Sequence, residues 1–114
     1  MSNVTPFRRP INWGRLRQDD AERIVRSRAN ETGNVVFTYH MGDRSDERDF
    51  TRSDIFRMLL TGHCLDAPAR NENGDWQVII VYRLAGNRDA GAVTVILEDE
   101  EKLVIRTVEW MDIR

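Results

Sequence analysis

The chain has 114 residues, 40% of them apolar and 32% charged, which is the length of one domain with a modest core. A formal net charge of −2 excludes a global field that would draw in nucleic acid, so any such attraction has to come from a local patch. The single cysteine, Cys64, excludes a disulfide framework and a cysteine cluster with zinc spacing.

Charge is unevenly spread along the chain. Residues 1–28 hold seven arginines (8, 9, 15, 17, 23, 26, 28) against three acids (19, 20, 22), a balance of +4. Residues 58–114 hold six basic groups against ten acids, a balance of −4. Of the 17 basic residues, Lys102 is the one lysine. Genome composition accounts for such a bias, but its consequence stands either way: arginine offers a planar, permanently charged fork that suits phosphate and carboxylate. The first 15 residues carry Arg, Pro and Trp but no apolar run, and no later run approaches the roughly 20 residues that cross a bilayer. A lone cysteine fits a reducing compartment. The expectation is a soluble, cytoplasmic, bacterial protein with no membrane association and no cofactor.

Residues 1–18 contain two prolines, a glycine and no clean period, and read as an irregular arm, docked by Phe7, Ile11 and Trp13. The remainder, 19–114, reads as one α+β domain. Asp19 and Asp20 suit the start of a helix, where backbone N–H groups point outward. Ala21, Ile24, Val25 and Ala29 recur near the helical period, and Thr32-Gly33-Asn34 stop it. "VVFTYH" (35–40) is β-branched and aromatic, hence a strand. "MGDRSDERDF" is polar, a loop or a short helix. "TRSDIFRMLLTG" is a second helix: Thr51 and Asp54 form a weak capping-box pattern, Ile55, Met58 and Leu59 an apolar stripe, and Gly62 the stop.

Strands follow. "HCLDA" (63–67) is a short one, and Pro68 with "NENGD" (71–75) makes a connection. "WQVIIVYRLA" (76–85), "AGAVTVIL" (90–97) and "LVIRTVEW" (103–110) are long strands joined by the polar turns "GNRD" and "EDEEK", an antiparallel meander. Alternation puts Trp76, Val78, Ile80, Tyr82 and Leu84 on one face, with Arg83 on the mixed face. In the last strand it sets Leu103, Ile105 and Thr107 against Val104, Arg106, Val108 and Trp110. The predicted architecture is two helices on one face of an antiparallel sheet, the other face half covered. The terminal strand 103–110 is read as an edge with only Arg106 and Glu109 to blunt it, a route to a homo-oligomer.

Nucleotide-binding glycine loops, zinc-protease motifs and hydrolase elbows are absent from the sequence. What remains is His40, Arg44 and Arg48. In a helix, that four-residue spacing places all three on one face. A histidine moves protons near neutral pH, and arginines hold a phosphodiester and stabilise charge building on its oxygens. Those are the ingredients of metal-free RNA cleavage by the neighbouring 2′-hydroxyl. Asp43, Asp46, Glu47 and Asp49 interleave with them, so surface ion pairs account for the arginines equally well. Arg83 is a further candidate. His63, after Gly62, is placed to cap the last helical carbonyls, and Cys64 reads as a small core residue. Trp110 beside Arg106 offers packing or a platform for a base.

The order of "VVFTYHMGDRSDERDFTRSDIFRMLLTGH", "ENGDWQVIIVYRLAGNRDAGAVTVI" and "KLVIRTVEW" resembles a family of small bacterial proteins of unknown function. Its pattern is a strand ending F-T-x-H, two arginines four apart, a D-[IL]-x-x-x-L-x-x-G helix and a closing meander. The pattern falls on Phe37, Thr38, His40, Arg44, Arg48, Asp54, Ile55, Leu59 and Gly62, with the hairpin at Gly86 to Gly91. "MGD" and "SDE" depart from it, and Gly42 interrupts a helix from His40. The family resembles the RelE and BrnT ribonuclease toxins in architecture. That resemblance implies a metal-independent endoribonuclease of a toxin–antitoxin pair, with RNA as substrate and an antitoxin-like protein as partner. The alternative is a non-enzymatic module binding nucleic acid or protein through its Arg-rich N-terminal region, detachable from the sheet.

Overall fold

The structure is a computed structural model and describes residues 11–38, 50–84 and 88–111. Among the described residues, two α-helices, α1 (Gln18–Ala29) and α2 (Arg52–Thr61), pack on a sheet of six strands. The strands are β1 (Val35–Phe37), β2 (His63–Cys64), β3 (Ala69–Arg70), β4 (Trp76–Arg83), β5 (Asp89–Ile96) and β6 (Leu103–Trp110). The α+β class is as the sequence predicts. Among the described residues, no helix is long and apolar enough to cross a membrane.

Helix α1 begins with Asp19 and Asp20 in its first turn and ends with Arg26 and Arg28 in its last, the charge order its dipole favours. Helix α2 carries the predicted capping box in full. Thr51 accepts from the Asp54 N–H, and the Asp54 carboxylate accepts from the Thr51 N–H. Both helices lie on one face: α1 packs against β5 and β6, α2 against β4 and β5.

The strand order β1-β6-β5-β4-β2, with β3 also on β4, corrects two expectations. Strand 103–110 is not an edge over its first three residues, because β1 pairs with it in parallel from Val35↔Leu103 to Phe37↔Ile105. The sheet is therefore mixed, antiparallel throughout its meander and parallel at one margin. The predicted strand 63–67 is also shorter. It breaks after Cys64, and a second two-residue strand, Ala69–Arg70, continues along the same side of β4.

Alternation in β4 holds as read, with Trp76, Val78 and Ile80 buried against the helices. In β6 it does not hold. The register passes from Thr94↔Ile105 to Val93↔Thr107, leaving Arg106 as the extra residue of a bulge. Beyond it the side chains change face. Val108, expected opposite Leu103 and Ile105, joins them with no exposed surface. Cross-strand layers then run Trp76/Ile96/Leu103, Val78/Thr94/Ile105 and Ile80/Ala92/Val108. Thr94, buried among them, satisfies its hydroxyl on the Ala92 carbonyl at 3.0 Å. Ala21, Ala29, Ala90 and Ala92 are almost wholly buried, and small residues there let α1 approach the sheet closely.

The described part of the predicted arm, residues 11–17, is irregular and docks through Ile11 and Trp13, while Phe7 lies outside the described residues. The Trp13 carbonyl accepts from Trp76 Nε1 at 2.7 Å and from Arg70 Nη2 at 2.8 Å, and Leu16 is buried in the core. This stretch is thus not detachable: removing residues 1–17 would strip a core leucine and unpair the Trp76 indole.

Gly62 ends α2 where the chain meets β4. A Cβ there would lie 2.6 Å from the Met58 carbonyl oxygen, 2.7 Å from that of Val81 and 2.8 Å from Ile80 Cγ2. Two of those atoms are backbone and cannot swing away. Gly62→Ala is expected to lower stability by about 1–3 kcal/mol in chemical denaturation, the usual cost of overpacking. Gly33→Ala, where nothing among the described residues stands within 4 Å, is expected to be neutral or slightly stabilising.

Candidate functional site

His40, Arg44 and Arg48 lie outside the described residues, and so does Gly86 of the hairpin. The structure does define where their stretch begins and ends. At the beginning, Thr38 follows β1 and is bound twice to β6. Its N–H donates to the Ile105 carbonyl at 3.2 Å, and its hydroxyl to the Arg106 carbonyl at 3.2 Å. At the end, Phe50 is buried with its ring 4.7 Å from that of Trp110, tilted by 40°. Both anchors therefore belong to one strand, Thr38 near its middle and Phe50 at its C-terminal end.

Each anchor has an arginine lying on an aromatic ring. Arg52, opening α2, covers Phe37 at 4.4 Å, and Phe37 meets Phe56 edge-on at 6.1 Å. Arg88 covers Trp110 at 4.1 Å. A guanidinium over a ring gains from the ring's negative face, and the same groups hold phosphates and stack unpaired bases. The proposed partnership of Trp110 with Arg106 is not formed. The bulge sends Trp110 toward the helices, whereas Arg106 stays exposed and donates to Gln77 Oε1 at 3.1 Å and pairs with Glu72 at 3.2 Å.

Arg83 stands at the end of β4 on the helix-free face, opposite Asp89 in register. Its Nε donates to Asp89 Oδ1 at 3.0 Å. That hydrogen bond, and the aspartate's charge behind it, push the guanidinium pKa above its ordinary value. The group is exposed, and any phosphate there would compete with a carboxylate already in place.

The arginines of α1 are similarly committed. Arg17 pairs with Asp19, Arg23 with Asp20 and Arg26 with Glu22. Arg28 spends Nη1 on the carbonyls of Leu97 and Lys102, at 2.7 and 2.9 Å, with burial lowering its pKa. One stripe of α1 closes the β2 edge. Gln18 Nε2 donates to the Cys64 carbonyl at 3.0 Å, Glu22 accepts from the Cys64 N–H at 2.9 Å, and Arg26 donates to the Gly62 carbonyl at 2.9 Å. His63 does not cap α2 as expected. The Gly62 N–H closes that turn on the Met58 carbonyl, and His63 Nδ1 faces Arg26 at 3.4 Å and Glu22 at 3.7 Å.

Sequence reasoning missed a groove on the outer side of α2. It is shallow and open to solvent, and is lined by Thr32, Arg52, Ser53, Phe56, Arg57, Leu60 and Thr61. A signal for it does exist in the sequence: Asp54 is the single acid between residues 52 and 61, and the capping box consumes it.

Cys64 is buried in the core, as the sequence suggests. Desolvation, with Glu22 adding to it, pushes its thiol up to about 12, so the reactive thiolate is scarce at neutral pH. Cys64 is expected to react with Ellman's reagent only as fast as the protein opens. Rates in native buffer should therefore fall well below those in guanidinium and should track stability across variants.

Comparison with curated proteins and with solved structures finds no match. A family model described as a domain of unknown function, DUF4258, matches residues 37–110, more than half of the chain, and the protein belongs to that family.

Proposed function

We propose that the protein acts on RNA as a metal-independent endoribonuclease of the kind found in toxin–antitoxin pairs, with His40, Arg44 and Arg48 as its working groups. The reading rests on the sequence pattern and its resemblance to RelE and BrnT. The observation that best supports it is the fastening of the 39–49 stretch. Both of its ends are tied to β6, at Thr38 and Phe50, beside arginines seated on Phe37 and Trp110. A short segment held at both ends costs less entropy to order around a substrate than a free loop.

In this mechanism His40 takes the proton of a 2′-hydroxyl. The oxygen attacks the adjacent phosphorus, the P–O5′ bond breaks, and the leaving oxygen takes up a proton, giving a 2′,3′-cyclic phosphate and a 5′-hydroxyl. Arg44 and Arg48 neutralise the non-bridging oxygens as charge builds. Arg83 enters only by exchanging Asp89 for phosphate. Binding through the N-terminal arginines has less support, since Arg17, Arg23 and Arg26 each meet a carboxylate and Arg28 is spent on two carbonyls.

The test is cleavage of labelled RNA in excess chelator, with and without ribosomes, together with growth on induction. The parent is expected to cleave and to slow growth. His40→Ala should lose about 100-fold or more in rate with an unchanged melting curve. A parent protein that neither cleaves RNA nor affects growth contradicts the reading.

A further inference from the structure

Most described arginines spend their charge at home: Arg17, Arg23, Arg26, Arg70, Arg83 and Arg106 each stand within ion-pair distance of an acid. Arg52 and Arg57 are different. Both are exposed, both border the groove on α2, and among the described residues neither has a carboxylate partner. The cause is local. Asp54, three residues before Arg57 and placed to pair with it, is turned back to the Thr51 N–H by the capping box. The helix start is thereby secured, and the arginine is left without its neighbour.

The rest of the groove fits this charge to a particular kind of partner. Phe56 and Leu60, a turn apart and half-buried, give it an apolar floor. Ser53 and Thr32 supply hydroxyls at its sides, and no carboxylate is among its described lining residues. In a chain with 19 acids against 17 basic groups, a groove whose described lining holds two guanidiniums without a carboxylate partner and no acid is complementary to negative charge. RNA would satisfy the arginines and leave Leu60 without a role. A peptide with acids flanking apolar residues satisfies both, in the manner of a helix or strand laid in a groove.

We infer that this groove, between the outer face of α2 and the Thr32 turn, is a docking site for an acidic, apolar-bearing peptide segment of a protein partner. Arg52 and Arg57 engage its carboxylates, and Phe56 and Leu60 receive its apolar side chains. The inference is independent of catalysis, because peptide binding is read with no RNA present.

The test is selection of random dodecapeptides displayed on phage against the immobilised full chain at physiological salt. Enriched peptides are expected to combine Asp or Glu with Leu, Ile or Phe. Measured by fluorescence anisotropy, they should bind the Arg52→Gln/Arg57→Gln protein about tenfold more weakly or worse. Arg57→Glu, at a side chain that makes no hydrogen bond or ion pair among the described residues, should weaken binding further with an unchanged melting curve. Absence of acidic enrichment, or peptides that bind the double variant as well as the parent, would overturn the proposal. So would a single-stranded oligoribonucleotide that displaces the peptides and itself depends on Arg52 and Arg57, since the groove would then be a nucleic-acid surface.

Discussion

The bulge at Arg106 is the constraint on which the arrangement turns. A strand of strict period two would send Val108 and Trp110 to the helix-free face, and Phe50 would have no ring to pack on. One extra residue in β6 reverses the facing halfway along. Leu103 and Ile105 fill the core at one end, and Val108 and Trp110 serve it at the other. The bulge also presents the Arg106 carbonyl to the Thr38 hydroxyl. A single irregularity thus anchors both ends of the stretch that carries His40, Arg44 and Arg48. Bulges re-aim side chains, and this one turns Val108 and Trp110 toward the helices.

The two margins of the sheet are treated differently. At β2, side chains of α1 stand in for a neighbouring strand: Gln18 and Glu22 bind the carbonyl and the N–H of one residue, Cys64. That closes the margin to another strand and explains why so much of the α1 charge faces inward on the protein. The other margin begins with three-residue β1, whose parallel pairing covers the first three residues of the meander's last strand. Of the arginines that look like a basic patch in the sequence, Arg26 joins this closure, Arg17 and Arg23 pair with acids of their own helix start, and Arg28 binds the carbonyls of Leu97 and Lys102. Arg52 and Arg57 on α2, where the sequence gives no cluster of charge, have no carboxylate partner among the described residues.

Much of the fold was legible because local rules and tertiary packing agree. The period of Ala21, Val25 and Ala29, the capping box at Thr51, the stop at Gly62 and the alternation of Trp76, Val78 and Ile80 all carry into the structure. The failures share a physical origin. Parallel pairing of β1 with β6 joins segments far apart in sequence, which no local pattern encodes. The bulge is invisible because Val104, Arg106, Val108 and Trp110 alternate cleanly as letters; only the register against β5 breaks the period. His63 was read as a cap because it follows a helix, yet the Gly62 N–H already closes that turn. For the site, residue types and spacing named Arg83 but could not reveal Asp89 directly across the hairpin.

The central claim is that RNA meets the protein at the stretch between Thr38 and Phe50. The most direct measurement is an NMR titration with an oligoribonucleotide carrying 2′-methoxy groups, which cannot be cleaved, following backbone amides at both anchors. Thr38 and Phe50 are expected to shift together, with an affinity that falls as salt is raised. Shifts confined to other surfaces, or none at oligonucleotide concentrations that saturate nonspecific binding, would contradict it.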